Sequence, residues 1–217
     1  MIHDHKSSIP QCNGSASRNI DGSIILTPDS AGQTGSAFLA LPPRTNSFLV
    51  TFSFRITKSG DGADGMAFVM HSSGTSTLGG GGCELGYGSI PNSTAVEIDT
   101  YRSMDRCDDP PTPHLSIQRD GDAHHRSSLF CTGLPVTDDG KRYWIRIEVT
   151  KVTMRVWFSD NGSGQDWVEL TESEGVAIDG VGDCIGWTAS TGGLHQRHEV
   201  LSYEVWEAAN VATDAVL

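Results

Sequence analysis

In the stretch "AVEIDTYRSMDRCDDPPTPHLSI", residues 95–117, Glu97, Asp99 and Tyr101 alternate with Val96 and Ile98. On an extended strand that alternation sends the carboxylates to one face and the aliphatic side chains to the other. Residues two apart lie about 6.6–7 Å apart along the backbone, close enough for one ion or two adjacent ions to join their side chains. Downstream, His114 and Ser116 alternate with Leu115 and Ile117, so a second strand presents an imidazole from its polar side. Between the two runs an acidic loop stiffened by three prolines, carrying Asp105, Asp108 and Asp109. Carboxylates on a strand and loop, with a histidine on the return strand, suit divalent cations. Oxygen-only ligands favour calcium, and a mixed oxygen and nitrogen set favours manganese or another transition metal. The plain alternative is a solvated acidic strand and loop. Unpaired carboxylates are costly on a half-buried strand, which tips the balance toward ions.

The elements that must position these residues are strands. With 25 Gly, 9 Pro and little 3.6-residue periodicity, the chain reads as strands joined by turns. Phe48, Val50, Phe52, Phe54 and Ile56 share one face while Thr51, Ser53 and Arg55 share the other. Tyr143–Val149 and 154–158 repeat the pattern and form a hairpin. Further strands are expected at 23–27, 36–41, 65–70, 94–101, 114–118, 184–190 and 199–206. Asp139-Gly140 and Asn161-Gly162 punctuate the chain as turns. Some ten short strands without helices indicate an all-β, two-sheet antiparallel sandwich. Segments 71–93, with Gly79 to Gly82 in a row, and 102–113 exceed ordinary hairpin length and are candidate functional loops. Trp187 and Trp206 read as core or sheet residues.

At 217 residues the chain fits one domain over 1–217, with 1–10 a flexible N-terminal segment and 208–217 a C-terminal tail. A net charge of -12 argues against a nucleic-acid partner. No stretch approaches the ~20 apolar residues of a membrane span, and "MIHDHKSSIP" lacks the apolar run of a signal peptide. The five cysteines show no CxxC spacing, so a zinc or redox motif is not expected. An odd count leaves at least one thiol unpaired, and Cys107 with Cys131 is the first choice for a bridge. Asn13, Asn92 and Asn161 match the N-glycosylation acceptor pattern. His3, His5, His124 and His125, at a terminus or in a polar turn, read as solvated.

Five segments in order carry a resemblance: "NGSA" with "IILTPDSAGQTGSAF"; "FSFRITKSGDGADGMAFVM"; "LGGGGCELGYGSIPNSTAVEIDTY" running on to "DPPTPHLSI"; "DDGKRYWIRIEV"; and "IGWTASTGGLHQRHEVLSY". Across almost its whole length the chain resembles the L-type (legume-like) lectin domain, especially microbial and secretory-pathway members. The resemblance implies a jelly-roll sandwich and non-catalytic carbohydrate binding supported by calcium and a transition metal, usually manganese. Glycans or glycoproteins would be the partners, in an extracellular or secretory-pathway setting, with oligomers or tandem domains for avidity.

The resemblance implies that Glu97, Asp99, Asp109 and His114 hold the transition metal. Asp99, the Tyr101 carbonyl and Asp109 would hold calcium. The family's calcium-ligating Asn falls at Ser103 here, and either Ser103 or Asp105 would have to fill its place. Asp64 would accept bonds from two sugar hydroxyls, after a cis peptide. Gly82, or a neighbour in the glycine run, would present a backbone N–H, because a side chain there would block the ligand. The Tyr101 ring would pack on the apolar face of a pyranose. Ser103 stands where the same Asn also bonds the sugar, and Gly193 with Leu194 lies on the loop that helps set sugar choice, in a Gly-Gly-Leu form that is similar to mannose-binding secretory-pathway relatives; mannose- or glucose-type glycans are the expected ligands.

Two other readings compete. Laminarinase-like glycoside hydrolases share the jelly roll and a Glu-x-Asp-x-x-Glu strand, which "EIDTYR" begins to match. The final acid is replaced by Arg102, which cannot donate a proton at neutral pH. A protein-interaction module that has lost sugar binding is the third reading, and the missing Asn is its support.

Overall fold

A computed structural model of the chain describes residues 3–4, 9–111 and 113–207. Among these, two antiparallel sheets of nine and seven strands face one another. The seven-stranded sheet runs in the order Phe130–Gly133, His114–Arg119, Thr94–Asp99, Gly65–His71, Cys184–Ser190, Thr34–Ala40, Gln11–Gly14. The larger sheet is built around Phe48–Thr57, flanked by Tyr143–Val149 and Arg197–Glu207. This is the expected all-β jelly-roll sandwich, and the strands at 143–149 and 184–190 have the expected limits. The hairpin of Tyr143–Val149 with Thr153–Ser159 pairs Ile145 with Phe158 and Ile147 with Val156.

The core follows from the two-residue period. Phe48, Val50, Phe52, Phe54 and Ile56 of the larger sheet meet Met66, Phe68, Met70, Val96, Ile98, Leu115, Ile117 and Trp187 of the smaller one. Phe52 packs against Phe68 and Trp187 at ring separations of 6.2 and 5.6 Å. Trp187 is fully buried, and half-buried Trp206 sits in the larger sheet opposite Leu49.

Sequence pattern missed the short pairings. Gln11–Gly14, Ser17–Arg18, Phe130–Gly133, Val168–Glu169 and Val176–Ala177 are too brief for alternation to register. Contrary to a helix-free expectation, Met104–Cys107 forms one turn of α-helix, with single 3-10 turns at Gly82–Glu84 and His125–Ser127. Of the expected N-terminal segment, His3–Asp4 pairs with Trp206 and Glu207. The remainder of 1–8, including His5, and the 208–217 tail lie outside the described residues.

A second apolar layer decides the setting of the charged strand. Loop 72–93 folds over the outer face of the smaller sheet, placing Leu85, Tyr87 and Ile90 on Phe38, Ala67, Val69 and Ala95. Thr94–Asp99 is therefore buried on both faces. Val96 and Ile98 enter the core between the sheets, while Glu97 and Asp99 point beneath the loops. Phe52→Ala would open a cavity at the centre of the aromatic cluster. The expected outcome is a loss of about 3–5 kcal/mol in urea unfolding, and a loss below about 1 kcal/mol would show that the cluster does not organise the core.

Candidate functional site

The strand register assembles the charged face. Glu97 lies opposite Ser116, and Asp99 opposite His114. Glu97 and Asp99 are 0% and 1% exposed, and His114 is 1% exposed. Tyr87, brought in by the covering loop, donates its hydroxyl to Glu97 Oε1 at 2.5 Å, and Ser116 Oγ donates to Oε2. Gln118 Nε2 lies 3.3 Å from that same oxygen. Asp109 returns from the acidic loop and is also buried. Its Oδ2 accepts the Ser103 backbone N–H at 2.5 Å, while Tyr101 N–H donates to Asp99 Oδ1 at 2.8 Å.

One group in this cluster departs from expectation. His125, read from sequence as solvated, has a side chain only 6% exposed and points into the site. Its Nε2 lies 2.8 Å from His114 Nε2 and 3.4 Å from Glu97 Oε2, and its Nδ1 lies 3.1 Å from Asp109 Oδ1. A polar dipeptide in a turn gives no periodic signal, so only the folded chain reveals it. His124 stays exposed, as expected.

The electrostatics are those of negative charge held out of water. Burial pushes the Asp99 carboxyl well above the usual range, and the charges of Asp109 and Glu97 add to the shift. Burial, with the His125 charge, lowers His114 to about 4. For His125 burial pulls down, but its contacts with Asp109 and Glu97 win and raise it to about 10. Without an ion, His125 is thus the local counter-charge. The donor set fits divalent cations. Glu97, His114 and His125 offer ligand atoms within 4.8 Å of one another, His114 Nδ1 is buried without a hydrogen-bond partner, and Asp109 Oδ1 meets only the ion-pair contact of His125 Nδ1. Asp99 and Asp109, beside the Tyr101 and Ser103 main chain, suit a hard, oxygen-liganded ion such as calcium.

Next to this cluster opens a cavity of about 710 Å³. Asp64, Gly82, Tyr101, Ser103, Gly193 and Leu194, drawn from four separate stretches of sequence, all line it. Asp105 lines it too, exposed on the helix Met104–Cys107. Of the two candidates for the missing Asn position, Ser103 is the one whose backbone contacts Asp109. Tyr101 and Leu194 each remain 38% exposed, leaving apolar surface in the cavity lining.

Asp64 is 6% exposed, and its Oδ2 has no hydrogen-bond partner. Burial raises its pKa to about 6, helped by Asp109 and opposed by Arg106 and the Gly192 backbone. The Ala63–Asp64 peptide is cis. The Asp64 carbonyl accepts both Thr100 N–H (3.1 Å) and Thr100 Oγ1–H (3.0 Å), and its N–H donates to the Ser190 carbonyl at 3.1 Å. Gln196 Nε2 donates to Thr100 Oγ1 and lies 3.0 Å from His198 Nε2. Burial lowers His198 to about 3, so it stays neutral and can accept. Gly65 follows Asp64 because a Cβ there would stand 2.6 Å from the Ile98 carbonyl oxygen.

Nothing in the chain lies within 4 Å of where a Gly82 Cβ would stand, so the space beside it is open toward the cavity. Its φ of +65° is a further reason for glycine, since it opens the Gly82–Glu84 turn in the left-handed region. The disulfide expectation is corrected: Cys107 pairs with Cys83, not Cys131. Cys107 ends the helix facing the glycine-rich loop, whereas Cys131 lies exposed on the sheet's edge strand. Sequence reading also passed over Gly192, whose Cβ would stand 3.4 Å from Asp64 Oδ2, and over Met104, Arg106 and Gln196. Arg102, which stands where a hydrolase would carry its acid, lies beyond the strand and bonds the Asp109 carbonyl at 3.2 Å.

Comparison with known proteins places this geometry. The family described as the legume lectin domain matches residues 3–215. The VIP36 exoplasmic/lumenal domain, solved with Ca2+ and Man3GlcNAc, is similar with a TM-score of 0.72 at 18% identity, over 92% of this chain and 85% of that one. Basic winged bean lectin with Tn-antigen gives 0.70 at 22% identity, over 95% and 94% of the two chains. Peanut lectin gives 0.73 at 22%, over 96% and 97%.

The raised Asp64 pKa makes a stability prediction for protein stripped of ions. Between the unfolded value near 3.8 and the folded value of about 6, the folded state binds more protons. Stability therefore falls as pH rises through this window, and the penalty is complete above it. Asp64→Asn removes the penalty, so the variant should melt higher than wild type at pH 7 and converge with it near pH 4. Equal melting temperatures at pH 7 by calorimetry would contradict the assigned burial cost.

Proposed function

This chain belongs to the legume lectin domain family, a non-enzymatic carbohydrate-binding protein, and on that premise we propose that it recognises mannose- or glucose-type glycans with the support of divalent ions. One observation carries the reading: the six residues picked out for sugar contact line one cavity, with a buried, unpartnered carboxylate oxygen of Asp64 among them. A sugar hydroxyl is a natural donor for that oxygen, and a charged acceptor strengthens the bond. The exposed ring of Tyr101 offers an apolar plane to a pyranose. Gly193 and Leu194 belong to the same lining. The solved VIP36 domain holds Man3GlcNAc and Ca2+, which supports this choice of sugar and ion.

In this reading Glu97, Asp99, Asp109 and His114 hold a transition-metal ion such as manganese. Calcium takes Asp99, the Tyr101 carbonyl and Asp109, with Ser103 or Asp105 completing the set. When bound, the ions neutralise the buried carboxylates. Thr100, which grips the Asp64 carbonyl, directly follows Asp99, so the order of the ion ligands sets the aim of the acceptor. The Cys83–Cys107 bridge supports an extracellular or secretory-pathway location, since such bridges persist in oxidising compartments. An open polar site binds weakly alone, so oligomers or tandem copies would supply avidity.

The test is a glycan array with and without added calcium and manganese. Mannose- or glucose-terminated glycans should give signal that chelator or Asp64→Asn abolishes. Signal indifferent to both treatments would favour a protein-interaction module instead. Binding should also weaken with acid. Burial is the main cause that raises the Asp64 pKa in the ion-free chain, and burial persists when ions are bound, so affinity should fall between pH 7 and pH 5. Titration calorimetry at the two pH values checks this, and an unchanged affinity would remove Asp64 as the charged acceptor.

A further inference from the structure

We propose that His125 is itself a metal ligand. Together with Glu97 and His114 it makes a two-imidazole, one-carboxylate site that selects a zinc-class ion, Zn2+ or Co2+, rather than manganese. This rests on reading Glu97 and His114 as ion ligands, and it adds a nitrogen that the resemblance does not assign.

Convergence is the first argument. His114 Nε2 and His125 Nε2 stand 2.8 Å apart, and Glu97 Oε2 stands 3.4 Å from the latter. Ligands about 2.0–2.1 Å from a zinc ion lie roughly 3.3 Å from one another in tetrahedral geometry. These separations therefore describe atoms around a shared point, needing only a small parting of the two rings. The ring planes are inclined at 76° with centroids 4.7 Å apart, and the two Nε2 atoms are the polar atoms that meet.

Support behind the ligands is the second. His125 Nδ1 lies 3.1 Å from Asp109 Oδ1 and 3.4 Å from the Cys107 carbonyl oxygen, which turns Nε2 toward the site. This is the carboxylate–histidine–metal relay found behind zinc-ligating imidazoles. It gives Asp109 the task of orienting His125 besides facing Asp99. The turn carrying His125 is pinned by Asp122, which accepts His124 N–H at 2.9 Å and Ser127 Oγ–H at 2.5 Å.

Chemistry and access complete the case. Replacing oxygen donors by a second imidazole moves preference away from manganese and toward zinc, cobalt and nickel. A separate cavity of about 260 Å³, lined by His125, Asp108, Ser128 and Cys131 among others, opens onto His125 from solvent. An ion can enter there without crossing the cavity beside Asp64.

The test titrates the full chain, stripped with chelator, with Zn2+, Co2+ and Mn2+ separately against a competing indicator. Nearly any nitrogen and oxygen site prefers zinc to manganese, so the ratio in wild type decides nothing. The deciding measurement is its change in His125→Gln. Zinc affinity should fall by about 100-fold or more, beyond the 10–100-fold typical of an outer partner, with manganese affinity within about threefold of wild type. An equal fall for both ions, or no fall for zinc, overturns the proposal. Should His125→Gln not fold, histidine NMR of the wild-type chain decides: zinc must shift the His125 ring resonances, and an unmoved ring overturns the assignment. Glycan binding by the wild-type chain separates the two readings. No glycan signal from wild type, with the zinc-selective fall in His125→Gln observed, sinks the lectin reading alone; glycan signal from wild type with zinc affinity unchanged in His125→Gln sinks only the role of His125.

Discussion

The structure depends on one constraint: three carboxylates, Glu97, Asp99 and Asp109, are held out of water within one small volume. Charges so placed repel one another and forgo hydration, a combination tolerated only against a compensating positive charge or a full set of donors. The donors are visible: Tyr87 and Ser116 on Glu97, the Tyr101 amide on Asp99, the Ser103 amide on Asp109. They come from a covering loop, a neighbouring strand and the acidic loop itself. The requirement to satisfy these oxygens is thus what ties otherwise irregular segments to the sheet. His125 supplies charge as well as a donor, from a further turn.

The sugar-facing side inherits its order from that arrangement. Asp64 sits where Thr100 can grip its carbonyl, and Thr100 directly follows the last residue of the charged strand. Gln196 reaches Thr100 from the Arg197 side of the larger sheet, with neutral His198 and Thr27 behind it. A polar chain therefore runs from one sheet to the other beneath the cavity. The main chain of Asp64 at its tip is held from both sides, by Thr100 and Ser190, and its carboxylate Oδ2 is left without a hydrogen-bond partner.

Much of this was legible in sequence for physical reasons. Period-two alternation wrote the core strands, and the Glu97-x-Asp99 spacing declared a polar inner face that a core strand would otherwise lack. Residues whose role lies in a long stretch of ordered match, such as Asp64 and Leu194, were legible through the resemblance, and the fold gathers them around one cavity. His125, Gln196 and the partner of Cys107 were not legible. Each acts through a contact made across a turn or between sheets, where neither period nor spacing carries a signal. The short edge strands escaped for a different reason, because two residues, or four as polar and glycine-bearing as Gln11–Gly14, display no apolar alternation.

The Cys83–Cys107 bridge joins the turn that carries Gly82 to the helix that follows Ser103. Two of the cavity's borders are in that way one covalent piece, anchored further by the charged cluster below. The third border, Gly192 to Leu194, lies outside that covalent piece and is held by hydrogen bonds alone, such as that of Gly32 N–H to the Gly192 carbonyl. Such a site resembles a vice with one fixed and one adjustable jaw. Changes of ligand preference along a lineage would then accumulate in the 192–194 segment, while the stapled jaw, whose every residue is answerable to the buried charge, would resist them.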